Sequence, residues 1–203
     1  MNKLLIICGG DRLGKGTLIK NLCKYYDYKN ITIRHCDKPP KNLSSDDTLK
    51  YQMKVFNQEK EMIFYYFNMN RKYMYHDNII IYDRFYLGEY VYSQMFRGGK
   101  PEVLKKMLLE YERGFISHNA YLITLTASPE FFNSRESDGH ELSKTLEQKT
   151  KELNLFKEAH EFSIIRPKLL LKVDKEITEL EYSGPSVFRT KEDILNEVIK
   201  FIE

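Results

Sequence analysis

The residues from Gly9 to Thr17, GGDRLGKGT, combine a G-x-x-x-x-G-K spacing with further glycines at 10 and 16. Such a stretch can turn several backbone amides into one small concavity, which demands unusual backbone angles and little side-chain bulk. Lys15 adds an ammonium, and a helix beginning here adds its positive end, so the chemistry is that of a polyphosphate cradle. Its candidate binding residues are Gly9, Gly10, Gly14, Lys15, Gly16 and Thr17. Asp11 and Arg12 are not needed to build the turn. Arg12 is suited to lie across a phosphoryl group in transfer and neutralise the charge developing on its oxygens, and Asp11 is suited to hold an acceptor.

Two further groups carry chemistry. An apolar run at 79–81 delivers Asp83, Arg84 and Phe85 to its carboxyl end, where polar residues of an open parallel sheet face the ligand crevice. Arg84 is suited to grip an acceptor phosphate, and Asp83 to orient a metal-bound water or a ligand hydroxyl. A structural ion pair at a strand end is the alternative. On a long helical pattern upstream, Phe67, Asn70 and Arg71 fall at i, i+3 and i+4 and share one face, an aromatic plate beside an amide and a guanidinium suited to a nucleobase. The competing reading is a core stripe, because Phe64, Tyr65, Tyr66 and Phe67 are consecutive and some must pack inside.

These residues need a frame. Strand patterns occur at 4–7, 31–36, 78–82, 121–126 and 168–173, and helical ones at 17–26, 45–75, 86–96, 101–115, 144–162 and 191–202. The Pro39-Pro40 pair closes the second strand, and Ser128-Pro129 reads as a helix start. Residues 136–143 form a polar loop, and 174–190 has no clear pattern. Alternating strands and helices predict a parallel sheet between helical layers, with no repeat or linker to divide the chain.

Composition narrows the class. A chain of 203 residues, 42% hydrophobic, reads as one globular domain spanning 1–203. Its 32 basic and 29 acidic residues leave a net charge of +3, too mild to point to a nucleic-acid or membrane surface. Cys8, Cys23 and Cys36 form no C-x-x-C pair and read as reduced core thiols. No apolar stretch is long enough to span a bilayer, and the phosphate loop begins within nine residues, leaving no space for a signal peptide. The expectation is a soluble, cytoplasmic protein.

Three separated pieces, GGDRLGKGT at 9–17, FNMNR at 67–71 and DRF at 83–85, resemble the thymidylate kinases among the nucleoside monophosphate kinases. That family typically shows G-x-D-R-x-G-K-S-T, F-x-x-N-R and D-R-Y in the same order. The resemblance implies an α/β, P-loop kinase three-layer sandwich, with a parallel five-stranded sheet flanked by helices and a small lid at about 135–143. It implies ATP and Mg2+ as cofactors, a small-molecule nucleotide as substrate and a possible homodimer. The implied reaction phosphorylates a deoxynucleoside monophosphate, most simply dTMP to dTDP. The alternatives are a deoxynucleoside kinase, with Asp37 as its carboxylate, and a non-catalytic nucleotide-binding regulatory module.

By the same resemblance, Lys15 and the loop amides hold ATP phosphates and Arg12 serves the transfer. Asp11 approaches the acceptor and Arg84 binds its phosphate. Phe67 stacks on the pyrimidine with Asn70 and Arg71 beside it, Tyr92 lies against the deoxyribose, and Asp37 answers for the acid of the family's R-E-P segment. Asp83 and Thr17 face the magnesium ion, and Arg135 is the single arginine of the lid. Gly16 departs from the family's serine, which turns Thr17 toward a phosphate contact as in the GKGT loop of adenylate kinases. His140, with no partner suggested by spacing, reads as a surface residue.

Overall fold

The computed structural model describes residues 2–26, 31–36, 39–40, 43–73, 78–115, 118–135, 142–175 and 187–203, with the side chains of 69–73 outside that description. Five parallel strands, β1 (Lys3–Gly9), β2 (Ile31–His35), β3 (Ile79–Asp83), β4 (Ala120–Thr126) and β5 (Lys168–Lys172), lie in the order β2-β3-β1-β4-β5. The register pairs Ile7 with Asp83 and Gly9 with Leu125, so the phosphate loop and Asp83-Arg84 leave the sheet at one edge.

The central strands β1 and β3 are covered on both faces, which is why they read as apolar runs rather than alternating patterns. Leu4, Ile6 and Cys8 of β1 pack into a layer with Phe56, Tyr86 and Phe156. Leu5 and Ile7 pack into the opposite layer with Leu18, Leu22 and Val198. The first layer holds α2 (Ser45–Tyr73), α3 (Leu87–Phe96), α4 (Pro101–Glu112) and α6 (Leu146–Phe162). The second holds α1 (Lys15–Tyr25), α5 (Pro129–Ser134) and α7 (Lys191–Ile202). The three-layer sandwich expected from the sequence is the observed architecture.

Local signals explain several element ends. Gly14, at φ 87°, caps α1 in the left-handed region, so the helix begins at Lys15, two residues before the expected 17. Thr145 and Gln148 form a capping box at the start of α6. The unassigned stretch 174–190 contains an antiparallel pair, β6 (Asp174–Lys175) and β7 (Val187–Phe188). Asp174 is buried and accepts from the Ser128 backbone amide and, at 2.7 Å, from its hydroxyl, which ties this pair to the start of α5.

The long helix α2 runs back along β3. Phe56 meets Phe85, just past the end of β3, with ring centroids 6.0 Å apart. Eleven residues later Phe67 meets His118, just before the start of β4, at 5.1 Å. With 29 residues α2 is about 43 Å long. The five residues of β3 span only about 17 Å. The N-terminal half of α2 therefore projects beyond the carboxyl edge of the sheet.

Candidate active site

The phosphate loop is built by backbone constraint. Gly9 adopts φ 129°, and a Cβ there would stand 2.5 Å from the Leu125 carbonyl oxygen, so no larger residue fits between β1 and β4. Arg12 holds φ 65° and Arg84 φ 55°, left-handed conformations rare for residues with side chains. The Arg84 amide donates to the Ile7 carbonyl at 3.0 Å, which fixes the turn after β3 against β1. Both arginines project from turns pinned by the sheet edge.

Lys15 is buried at the first turn of α1, and its ammonium donates to the carbonyls of Gly9 at 2.9 Å and Gly10 at 2.5 Å. Burial pushes the Lys15 pKa down, while the charges of Asp83 and Glu152 pull it up. Arg84 forms an ion pair with Asp11, joining the two sides of the crevice. Asp83 Oδ2 lies 3.5 Å from His35 Nδ1. Its Oδ1 is buried with no hydrogen-bond partner among the described residues, leaving an acceptor for a cation or ligand hydroxyl.

These groups line one cavity of about 390 Å³, with Arg12, Lys15, Asp83, Arg84, Arg135 and Thr17 on its walls beside Gly14, Gly16 and Phe188. Four cationic side chains face it against one carboxylate. Such a balance selects a polyanion. Among the described residues no group of three or more His, Cys, Asp or Glu gathers as a metal cage. A divalent ion shared with bound phosphates needs only one or two protein oxygens, and Asp83 and Thr17 on this wall fit that need.

The structure relocates one residue singled out from sequence. Phe67 does not reach the crevice: it is 8% exposed and packs edge-on against His118 at the opposite edge of the sheet. The physical reason is the run of α2, which carries its C-terminal turns toward the strand starts. Asn70 and Arg71 continue that same end of α2 as helical residues, with side chains outside the description. Asp37, His140 and most of the expected lid loop lie outside the described residues. Arg135 does line the cavity, its guanidinium 4.5 Å over the Phe188 ring and 5.7 Å over that of Phe131.

Tyr92 stands near the loop, and its hydroxyl donates to Glu152 Oε1 at 3.0 Å. Burial pushes the Tyr92 pKa up, and the Glu152 carboxylate adds to the rise. Sequence reading missed Glu152. It is 1% exposed, and a Cβ added to Gly10 would stand 3.3 Å from its Oε1, so the carboxylate reaches the phosphate loop. The available signal was its place at i, i+4 and i+7 with Phe156 and Ala159, which puts it on the buried stripe of α6. Phe188 was missed as well, since a two-residue strand leaves no periodicity to read.

By sequence, no family model and no curated protein matches the chain. By structure, it is similar to thymidylate kinase from Ehrlichia chaffeensis, with a TM-score of 0.60 at 13% identity over 100% of this chain and 99% of that one. It is also similar to the YorR protein from Bacillus subtilis, crystallised with phosphorylated GDP, at 0.59 and 18% over 98% and 95%. Polyphosphate kinase 2 from Arthrobacter aurescens matches at 0.50 and 11%, over 83% of this chain and 61% of that one. With its strand order and its strand-loop-helix at Gly9 to Thr17, the chain has the fold of the P-loop kinases.

Proposed function

We propose that the protein transfers the γ-phosphoryl group of ATP to the phosphate of a deoxynucleoside monophosphate, with dTMP the first acceptor to test. The observation that carries this is the convergence of two anion seats in one cavity: the amides and Lys15 of the phosphate loop on one side, Arg84 at the end of β3 on the other. A protein that only held ATP would need the first seat alone. The similar proteins include a thymidylate kinase and one crystallised with phosphorylated GDP, which supports a nucleotide acceptor and leaves its base to experiment.

Catalysis here is positioning and charge neutralisation. A phosphate monoester is already largely ionised near neutral pH, so no strong base is required. Arg12, on the wall of the same cavity, is assigned to span donor and acceptor, and Lys15 and the α1 N-terminus to hold the donor phosphates. Magnesium, when bound, neutralises phosphate charge, with Asp83 and Thr17 holding it. Because Phe67 is committed to the core, the acceptor base is assigned to the half of α2 that projects past the sheet.

The test is an acceptor panel. ATP, magnesium and the full chain are incubated with nucleosides and nucleoside monophosphates, and ADP and phosphorylated product are followed. Formation of a deoxynucleoside diphosphate supports the reaction. Phosphorylation of thymidine but not dTMP would replace it with a nucleoside kinase, and ATP turnover indifferent to every acceptor would replace it with a nucleotide-binding module.

A further inference from the structure

Phe188 and Arg135 share a wall of the phosphate cavity, and the Arg135 guanidinium lies 4.5 Å over the Phe188 ring. The ring is itself held. It packs edge-on against Phe131 of α5, with centroids 4.8 Å apart and planes at 84°, as part of the second core layer. Phe188 of β7 pairs with Asp174 of β6, whose carboxylate accepts from the Ser128 amide and hydroxyl. Ser128 immediately precedes α5 and Arg135 immediately follows it. The strand pair therefore clasps this six-residue helix at both ends, through a carboxylate at its start and an aromatic ring at its finish.

What the clasp does for Arg135 follows from the shapes of the groups. A guanidinium is planar, and its N–H donors lie in that plane. Stacking on a ring occupies one face and leaves the edge donors open to phosphate oxygens. The Arg135 Nε is buried with no hydrogen-bond partner among the described residues, so this donor is not taken by the protein's own groups. A free arginine surrenders rotamer freedom when it grips a ligand, and one already held in place surrenders less.

We infer that Phe188 is a positioning residue for phosphoryl transfer: its ring holds the Arg135 guanidinium at the phosphate cavity, set to bind the polyphosphate chain of the donor. This rests on the transfer reaction proposed above and adds a residue to its phosphate seat. Phe188 acts only through Arg135. The interaction is one part-exposed cation–π contact, which is equivalent to about fivefold in affinity.

The experiment is calorimetric titration of the full chain with inorganic tripolyphosphate and magnesium. This probe carries no base, so it reports the phosphate seat alone. Phe188→Leu removes the π face and keeps apolar bulk, and is expected to weaken binding about fivefold. Phe188→Tyr keeps the ring and is expected to stay within about twofold of the unmutated chain. Arg135→Ala is expected to weaken binding about tenfold or more, and adding Phe188→Leu to it to cost no more than about twofold further. A merely structural ring would not show that coupling. Equal effects of Phe188→Leu with and without Arg135 overturn the inference, as does unchanged binding in Phe188→Leu, or Phe188→Tyr as weak as Phe188→Leu. Thermal melting checks each fold, and Phe188→Met, which also lacks a ring, runs the same cycle if Phe188→Leu folds poorly. Coupled binding with no transfer to any acceptor would count against the proposed reaction and leave the role of Phe188 standing. No binding of tripolyphosphate by the unmutated chain would overturn both.

Discussion

Asp11 of the phosphate loop and Arg84 of the turn after β3 are ion-paired across the crevice. The guanidinium assigned to the acceptor phosphate is thus already balanced by a carboxylate from the donor side. The partners are 34% and 22% exposed, so solvent screens the pair. A part-exposed pair of this kind, screened by solvent, is worth about 1 kcal/mol. An incoming phosphate with two negative charges can therefore displace Asp11 at small cost.

Asp11→Asn is expected to free Arg84 and lower the acceptor KM by about fivefold, the equivalent of that 1 kcal/mol. Steady-state kinetics at saturating ATP measure it. An acceptor KM that rises instead would mean that Asp11 binds the acceptor directly.

Lys15→Met keeps most of the length and the apolar stem of the side chain while removing the charge beside the loop carbonyls. A fall of about 10²–10³-fold in kcat is expected, with the circular-dichroism spectrum unchanged. An unchanged kcat with only a raised ATP KM would show that the ammonium binds ground-state donor without serving the transfer.

Phe67→Ala tests the relocation of that ring. With 8% exposure and contact to His118, its loss is expected to destabilise the fold by about 3–5 kcal/mol. Denaturant unfolding gives the stability, and the acceptor KM of the folded enzyme should be unaltered. A large KM effect with little loss of stability would return Phe67 to the acceptor site.

His160 gives the fold a pH dependence. It is buried, its Nδ1 lies 3.0 Å from the Thr124 hydroxyl, and burial, helped by Lys168 and Arg166, lowers its pKa from 6.5 to about 4. As pH falls below 6.5 the unfolded chain takes up a proton that the native one does not, until pH approaches about 4. Stability is therefore expected to fall across that window through this residue, and His160→Gln to flatten the fall. Urea midpoints at pH 7.5, 6 and 5 measure it, and equal slopes for both proteins would rule His160 out as the source.

The strands and the phosphate loop were legible because their causes are local. A run such as Leu4 to Ile7 must be buried on both faces, and Gly9 and Gly14 mark left-handed backbone that few other residues adopt. The Arg135–Phe188 contact and the Asp174 anchor were not legible, since they join segments far apart in sequence by way of a two-residue strand pair.

The sequence by itself determined that a glycine-rich loop ending in Lys15 joins β1 to α1, and that Asp83 and Arg84 leave a strand end nearby. Those follow from glycine geometry and hydrophobic pattern, which act over a few residues. Only the tertiary structure decided which distant residues surround that loop. Phe67 has the right chemistry on the right helix, but α2 runs back along β3 and carries it to the far edge. Glu152, a carboxylate on α6, is turned inward to the loop. Both outcomes depend on where whole helices pack on the sheet, a property that helical spacing within one segment does not contain.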